Sequence, residues 1–157
     1  IDPGLASTGF GAISYDNKNK TPALLKCGYI KTLPGIHIAD RLNQIHYDIN
    51  QLINNIRPEL IAIENVFSLV RYPKAGIMLG GVIGIIYLSV AQNNIEMVEI
   101  TPKEVKKSLV GYGSANKKQI RDSIQKILHI DKVASFHAAD ALAIALTAFY
   151  RKGLRGY

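Results

Sequence analysis

The sequence predicts an α/β protein, a mixed sheet with helices on its faces. Three observations carry this expectation. Residues 8–15 alternate apolar and small side chains, residues 23–30 read as a further strand, and the short polar turn between them implies an antiparallel pair. Residues 38–56 carry apolar side chains at 38, 42, 45, 49, 52, 53 and 56, which is helical spacing. Beyond them short apolar runs alternate with longer helical stretches, and a meander followed by such alternation builds a mixed sheet. The 157 residues, 48% hydrophobic and 20% charged, suffice for one domain with a proper core.

In chain order, Ile1 and Asp2 read as the end of a first strand, followed by strands at 8–15 and 23–30 with a polar turn at 16–21. The helix over 38–56 is stopped by Pro58. Residues 60–63 are wholly apolar, as at a sheet centre. Residues 75–91 hold no charge and repeat glycine at 76, 80 and 84. Seventeen residues are at the short end for a membrane span, so we expect a buried helix there. Its small residues would let it approach the sheet or another subunit closely. A strand at 95–100 precedes Thr101-Pro102, a favoured helix start. Residues 111–116 form a loop, 117–128 a basic amphipathic helix and 135–150 a final apolar helix. We assign residues 1–150 to one domain and 151–157 to a basic tail.

Three acids stand where a core would not choose charge. Asp2 ends the first apolar segment, Glu64 closes the run 60–63, and Asp140 interrupts an Ala- and Leu-rich helix. Sheet order would make the first strand and residues 60–63 neighbours and bring Asp2 to Glu64, at the strand ends where α/β sites gather. Buried carboxylates are costly unless paired or bound to metal, and a divalent cation relieves their repulsion. The rest of the chain is basic. Residues 1–100 hold eight Lys/Arg and eight Asp/Glu, whereas 101–157 hold eleven and four, so the whole net charge of +7 lies in the last third. Carboxylates in a basic protein suggest metal-assisted chemistry on phosphodiesters. His137 shares a helical face with Asp140. The single cysteine, Cys27, cannot form an internal disulfide and fits a reducing cytoplasm. We expect no targeting peptide, and a few residues ahead of Ile1.

Ile1-Asp2-Pro3-Gly4 with Thr8-Gly9-Phe10-Gly11, Ala62-Ile63-Glu64-Asn65-Val66-Phe67, Val105-Lys106, the stretch from Val110 to Lys117 and His137-Ala138-Ala139-Asp140-Ala141-Leu142-Ala143 occur in this order. The ordered set resembles the RuvC family of bacterial Holliday junction resolvases over nearly the whole chain. The resemblance implies a ribonuclease H-like fold, a homodimer, and a divalent-metal endonuclease that nicks two strands of a four-way DNA junction symmetrically. Its catalytic, metal-holding positions map onto Asp2, Glu64, His137 and Asp140. His137 departs from the acid that many members carry, which leaves it as a ligand or as a group that positions or deprotonates water. Oxygen-rich ligation suits Mg²⁺, and the imidazole tolerates Mn²⁺; two ions would flank the scissile phosphate. The resemblance makes Phe67 a wedge stacking on opened bases, with Arg71, Tyr72 and Lys74 beside phosphates. It also makes Lys106 and Lys117 grip DNA near the cut, in a patch thickened by Lys103, Lys107, Lys118 and Arg121. It further implies RuvA and RuvB as partners.

Two other readings stand beside this one. Another ribonuclease H-like nuclease would act on RNA or on other branched DNA, and a non-catalytic subunit would only bind DNA.

Overall fold

The computed structural model describes residues 1–15, 21–65 and 73–153. Four strands and five helices follow one another as β1 (Ser7–Tyr15), β2 (Pro22–Lys31), α1 (Ile38–Ile56), β3 (Leu60–Glu64), α2 (Pro73–Gln92), β4 (Glu96–Ile100), α3 (Pro102–Val110), α4 (Lys117–Leu128) and α5 (Phe136–Gly153). Strands β1 and β2 pair antiparallel, from Ser7 opposite Lys31 to Tyr15 opposite Pro22. Strands β3 and β4 pair in parallel, from Leu60 opposite Glu96 to Glu64 opposite Ile100. The two ladders meet across Ile1 and Asp2. Asp2 exchanges both backbone hydrogen bonds with Gly9, at 3.0 and 2.8 Å. On the other side the Ile1 nitrogen donates to the Ala62 carbonyl at 2.5 Å, and the Glu64 amide donates to the Ile1 carbonyl at 3.1 Å. The spatial order is therefore β2, β1, the Ile1–Asp2 segment, β3, β4. This is the mixed sheet expected, with its first strand reduced to a bridge.

Helices cover both faces. Alternation along β3 sends Ile61 and Ile63 into a core with Ile45, Ile49, Val82 and Ile86, under α1 and α2. Ala62 joins Ile100, Val105, Ile124, Leu142 and Leu146 in a second core under α3, α4 and α5. Local signals set the helix ends. Arg57 caps α1 in the left-handed conformation just before Pro58. Thr101 with Glu104, and Asn116 with Gln119, form capping boxes at the starts of α3 and α4. A cavity of about 710 Å³ opens beside Phe10, Tyr15, Ile49, Leu60 and Phe149, and its lining includes none of the acids singled out above.

Two expectations change. Helix α2 is buried on one face only, through Val82, Ile86, Ser89 and Val90. Ile77 is 76% and Leu88 47% exposed, and among the described residues a Cβ added at Gly80 or Gly84 would meet nothing within 4 Å. Hydropathy reports that a helix is apolar, not what it packs against. The final helix also runs through Gly153, into the expected tail. Arg151 donates to the Glu99 carbonyl at 3.1 Å, and Lys152 pairs with Glu96 at 2.9 Å, which ties this last turn to β4. Residues 16–20 of the turn expected at 16–21, and residues 154–157, lie outside the described residues.

Candidate active site

The main chain sets Asp2 and Glu64 side by side, because Ile1 bridges to β3 one residue before each acid. The turn after Asp2 is tied down from three directions. Thr8 Oγ1 donates to the Gly4 carbonyl at 2.7 Å, and Thr32 Oγ1 donates to the Leu5 carbonyl at 2.5 Å. Arg41 then donates through Nε to Thr32 Oγ1 at 2.8 Å and through Nη2 to the Leu5 carbonyl at 3.2 Å.

Helix α5 brings the other two residues across this edge. It starts at Ser135, whose Oγ accepts from the Ala138 amide at 3.0 Å. Its first turns lie directly on β1, which two glycines permit. A Cβ on Gly9 would stand 2.3 Å from the His137 carbonyl oxygen, and one on Gly11 would stand 2.8 Å from the Leu142 amide nitrogen. Residues two apart on a strand share a face, so Gly9 and Gly11 form one smooth track for the helix. His137 Nδ1 thereby comes to 3.5 Å from Asp2 Oδ2. Asp140, one helical turn on, meets Lys117 Nζ at 3.6 Å from its Oδ2.

The electrostatics are those of crowded acids. Burial, followed by the charge of Asp140, raises the Asp2 carboxyl above the usual carboxylate range, and the hydrogen bond from His137 works against this rise. Glu64 is pushed up from 4.5 to about 7 by burial first, then by the charges of Asp2 and Asp140 and a hydrogen bond with Asp2. Near neutral pH this edge therefore holds a proton that a cation could displace. The donor set, carboxylate oxygens plus one imidazole, suits a hard divalent ion. Among the described residues, no group of three His, Cys, Asp or Glu side chains is already arranged to hold a metal. The donors fit such an ion by chemistry and mutual repulsion, with closure left to the side chains.

A further carboxylate stands at the same sheet edge. Glu99 accepts from Asn65 Nδ2 at 2.7 Å and from the Tyr87 hydroxyl, and that hydrogen bond, with burial, pushes the phenol up to about 12. Both Glu99 oxygens are engaged, so it braces the residue after Glu64 against α2. Sequence reasoning missed this brace and also the purpose of the glycines. Two glycines in a strand signal close backbone approach, but the sequence does not say to what.

The expected DNA-contacting residues divide. Lys103 and Lys107 on α3 are exposed, Lys106 is half-buried, and Lys117 and the exposed Lys118 open α4. Only Lys117 reaches one of the acids in an ion pair among the described residues. Arg121 instead lies over the Phe136 ring, 4.4 Å from its centroid. Phe67, Arg71 and Tyr72 lie outside the described residues, and Lys74 is exposed in the first turn of α2.

Comparison with known proteins shows the family and the fold. The family described as crossover junction endodeoxyribonuclease RuvC matches residues 1–148. A protein of that name from Prochlorococcus marinus is 37% identical, with 97% of each chain covered. Another, from Natranaerobius thermophilus, is 35% identical over 93% of this chain and 89% of its own. The structure of Thermus thermophilus RuvC superposes with a TM-score of 0.88 at 30% identity, covering 98% of this chain and 93% of that one. The same protein in complex with a Holliday junction substrate gives 0.86 at 28%, covering 98% and 92%. A yeast mitochondrial Holliday junction resolvase, 12% identical with a TM-score of 0.68 over 100% and 81%, shares the fold alone. That fold is ribonuclease H-like. In sequence over nearly its full length, and in the path of its sheet and helices, this chain belongs to the RuvC family.

Proposed function

We propose that this chain is a metal-dependent, structure-selective endonuclease. It resolves four-way DNA (Holliday) junctions by paired symmetric nicks, in recombination and repair. The observation that carries this reading is the gathering of Asp2, Glu64 and Asp140, from three distant parts of the chain, at one sheet edge, where burial first and then their mutual charge raise the carboxyls of Asp2 and Glu64.

Asp2, Glu64, His137 and Asp140 hold the catalytic cations, two per site, with Mg²⁺ the natural ion and Mn²⁺ able to substitute. Bound there, such cations would supply Lewis-acid stabilisation of the charge that develops at a scissile phosphate. The chain's own part is to organise that phosphate. Glu64 would hold a cation there as a carboxylate, having released its proton. His137, its side chain 48% exposed against 15% for Asp2, faces solvent and substrate as a ligand or as a base for water, and holds Asp2 through Nδ1. Lys117 brings a positive charge to the same edge. Lys103, Lys106, Lys107 and Lys118 position the duplex through its phosphates, which carry no sequence information. By resemblance, Phe67 wedges into the opened branch point and Arg71 adds a phosphate contact.

Paired nicks need two such sites. The open face of α2, with Ile77, Gly80, Gly84 and Leu88, supports a homodimer in which two copies of α2 cover each other. RuvA and RuvB are the expected further partners, in the cytoplasm. The deciding experiment is incubation of a labelled synthetic four-way junction with protein and Mg²⁺ or Mn²⁺. Paired symmetric nicks are expected, with three-way and RNA-containing substrates cut far more slowly. Equal cutting of the RNA-containing substrate would move the chain to another nuclease class, and no cutting at all would make it a binding subunit.

A further inference from the structure

A second recess, of about 550 Å³, adjoins the acids on the His137 side. Its walls include Tyr29 and Lys31 from β2, Arg121 from α4, Lys132 from the connection to α5, and Phe136 with His137 from α5 itself. Three of these side chains are cationic, and no carboxylate lines the recess among the described residues; Asp131, next to Lys132 in sequence, is not part of it. Such a lining selects an anion.

The recess also selects a flat ring. Phe136 is 64% exposed and Tyr29 46% exposed, although both belong to elements that pack into the core elsewhere. Neither ring gains the burial that normally places an aromatic. The Phe136 face already takes one planar partner, since the Arg121 guanidinium lies 4.4 Å over it. The Tyr29 ring lies 6.2 Å from the His137 ring. His137 thus lines the recess and also stands 3.5 Å from Asp2, in the site that would hold the scissile phosphate. Stacking on aromatic and guanidinium planes, with phosphates on lysine, is how proteins hold unpaired nucleotides. A base inside a duplex cannot offer its face in this way.

Building on the reading of the chain as a junction nuclease, we propose that this recess is a nucleotide subsite. It takes an unpaired nucleotide of the cut strand, next to the scissile phosphate, with its base among Tyr29, Phe136 and Arg121 and its phosphates on Lys31 and Lys132. It differs in place and in residues from the Phe67 wedge expected from the family. Tyr29 and Phe136 act on the geometry of the strand, and the acids act on the phosphate.

The test uses a four-way junction carrying 2-aminopurine at single positions around the cut, titrated in EDTA so that binding is read without cleavage. The parent protein quenches the probe at a nucleotide adjoining the cut. The double variant Tyr29→Leu, Phe136→Leu loses that quenching and binds roughly tenfold more weakly. The conservative pair Tyr29→Phe, Phe136→Tyr retains both. Unchanged quenching and affinity in the leucine variant, with parent-like melting, would overturn the subsite. Should the leucine variant fail to fold, Lys31→Ala with Lys132→Ala decides, since both lysines are exposed. Its slope of log K against log salt should become shallower by about 1.4, two single-strand phosphates at about 0.7 each; an unchanged slope overturns the proposal. A parent that fails to nick junctions in Mg²⁺ or Mn²⁺ marks failure of the functional reading instead, which the EDTA titration does not depend on.

Discussion

Helix α5 buries nine of its 18 residues, whereas α2, with 20 residues and Lys74 as its single charge, buries four. Both are apolar and rich in small side chains, so composition alone would give them the same fate. The difference lies opposite them. Facing α5 are Gly9 and Gly11, which leave no room for a Cβ and draw the helix onto the sheet. Facing Gly80 and Gly84, nothing among the described residues stands within 4 Å of an added Cβ. Small residues on a helix therefore mark a close approach, and only the tertiary structure says whether this chain or another supplies the other surface.

The largest effects should fall on the α5 side. Asp2→Asn, Glu64→Gln and Asp140→Asn each remove a charge from the proposed metal site while keeping shape, and each should cut junction cleavage by about 100- to 1000-fold. Junction binding should change by less than about threefold. Cleavage at the parent rate by any one of them would remove that residue from the site. Gly9→Ala tests the track beneath the helix. Relieving its clash with the His137 carbonyl should cost roughly 1–3 kcal/mol of stability. It should also slow cleavage, because His137 and Asp140 move with the helix; an unchanged melting temperature and rate would mean that the contact is slack.

On the α2 side the same chemistry should act differently. Gly80→Leu or Gly84→Leu has room within the monomer, so folding stability should stay within about 0.5 kcal/mol at matched oligomeric state. The mass by light scattering should fall from dimer to monomer. A variant that remains dimeric would place the contact elsewhere and break the comparison.

A smaller effect separates the acids from the scaffold. Folded Glu64 keeps its proton to about pH 7, whereas a free glutamate releases it near 4.5. Between those values the folded state binds more protons, so stability of the metal-free protein falls as pH rises through that window and levels off above it. Metal-free Glu64→Gln should therefore be more stable than the parent at pH 8, by on the order of 1 kcal/mol once partial exposure is discounted. The gain should vanish near pH 4.5, and added Mg²⁺ should stabilise the parent more than the variant. Equal thermal melts at pH 8 would show that the crowding is relieved in solution. The smallest effect belongs to the DNA grip. Lys106→Ala or Lys117→Ala should each make the salt slope of junction binding shallower by about 0.9, and an unchanged slope would return that lysine to the solvated surface.

What the sequence disclosed follows the range of the forces involved. Helices α1 and α4 begin and end where the residues predict, because their stops and caps are local: Pro58, Arg57, Asn116 with Gln119. Asp2 and Glu64 were legible as neighbours, since a meander followed by a crossover strand leaves few sheet orders. For α2 the sequence left open whether its small residues meet the sheet or another subunit, because hydropathy carries no record of the partner. The pairing of Lys117 with Asp140 was not legible, nor was the turning of Arg121 toward Phe136, since each depends on how α4 packs against α5. The glycines at 9 and 11 were visible as a motif, but their meaning came only with the helix that rests on them.

Lys117 is the first residue of α4, followed by Lys118, and that first turn contains no acid. A helix begins with its positive pole, so lysines there work against the helix they start. Anyone engineering this protein for heat resistance would choose these two positions first. Glutamate at each would gain about 0.3–1 kcal/mol. At 117 it would also set a negative charge against Asp140 and against any approaching phosphate. The sturdier protein would be the poorer tool. A screen that rewards melting temperature alone would select against the enzyme at this helix end, and one that rewards cutting would keep the flaw.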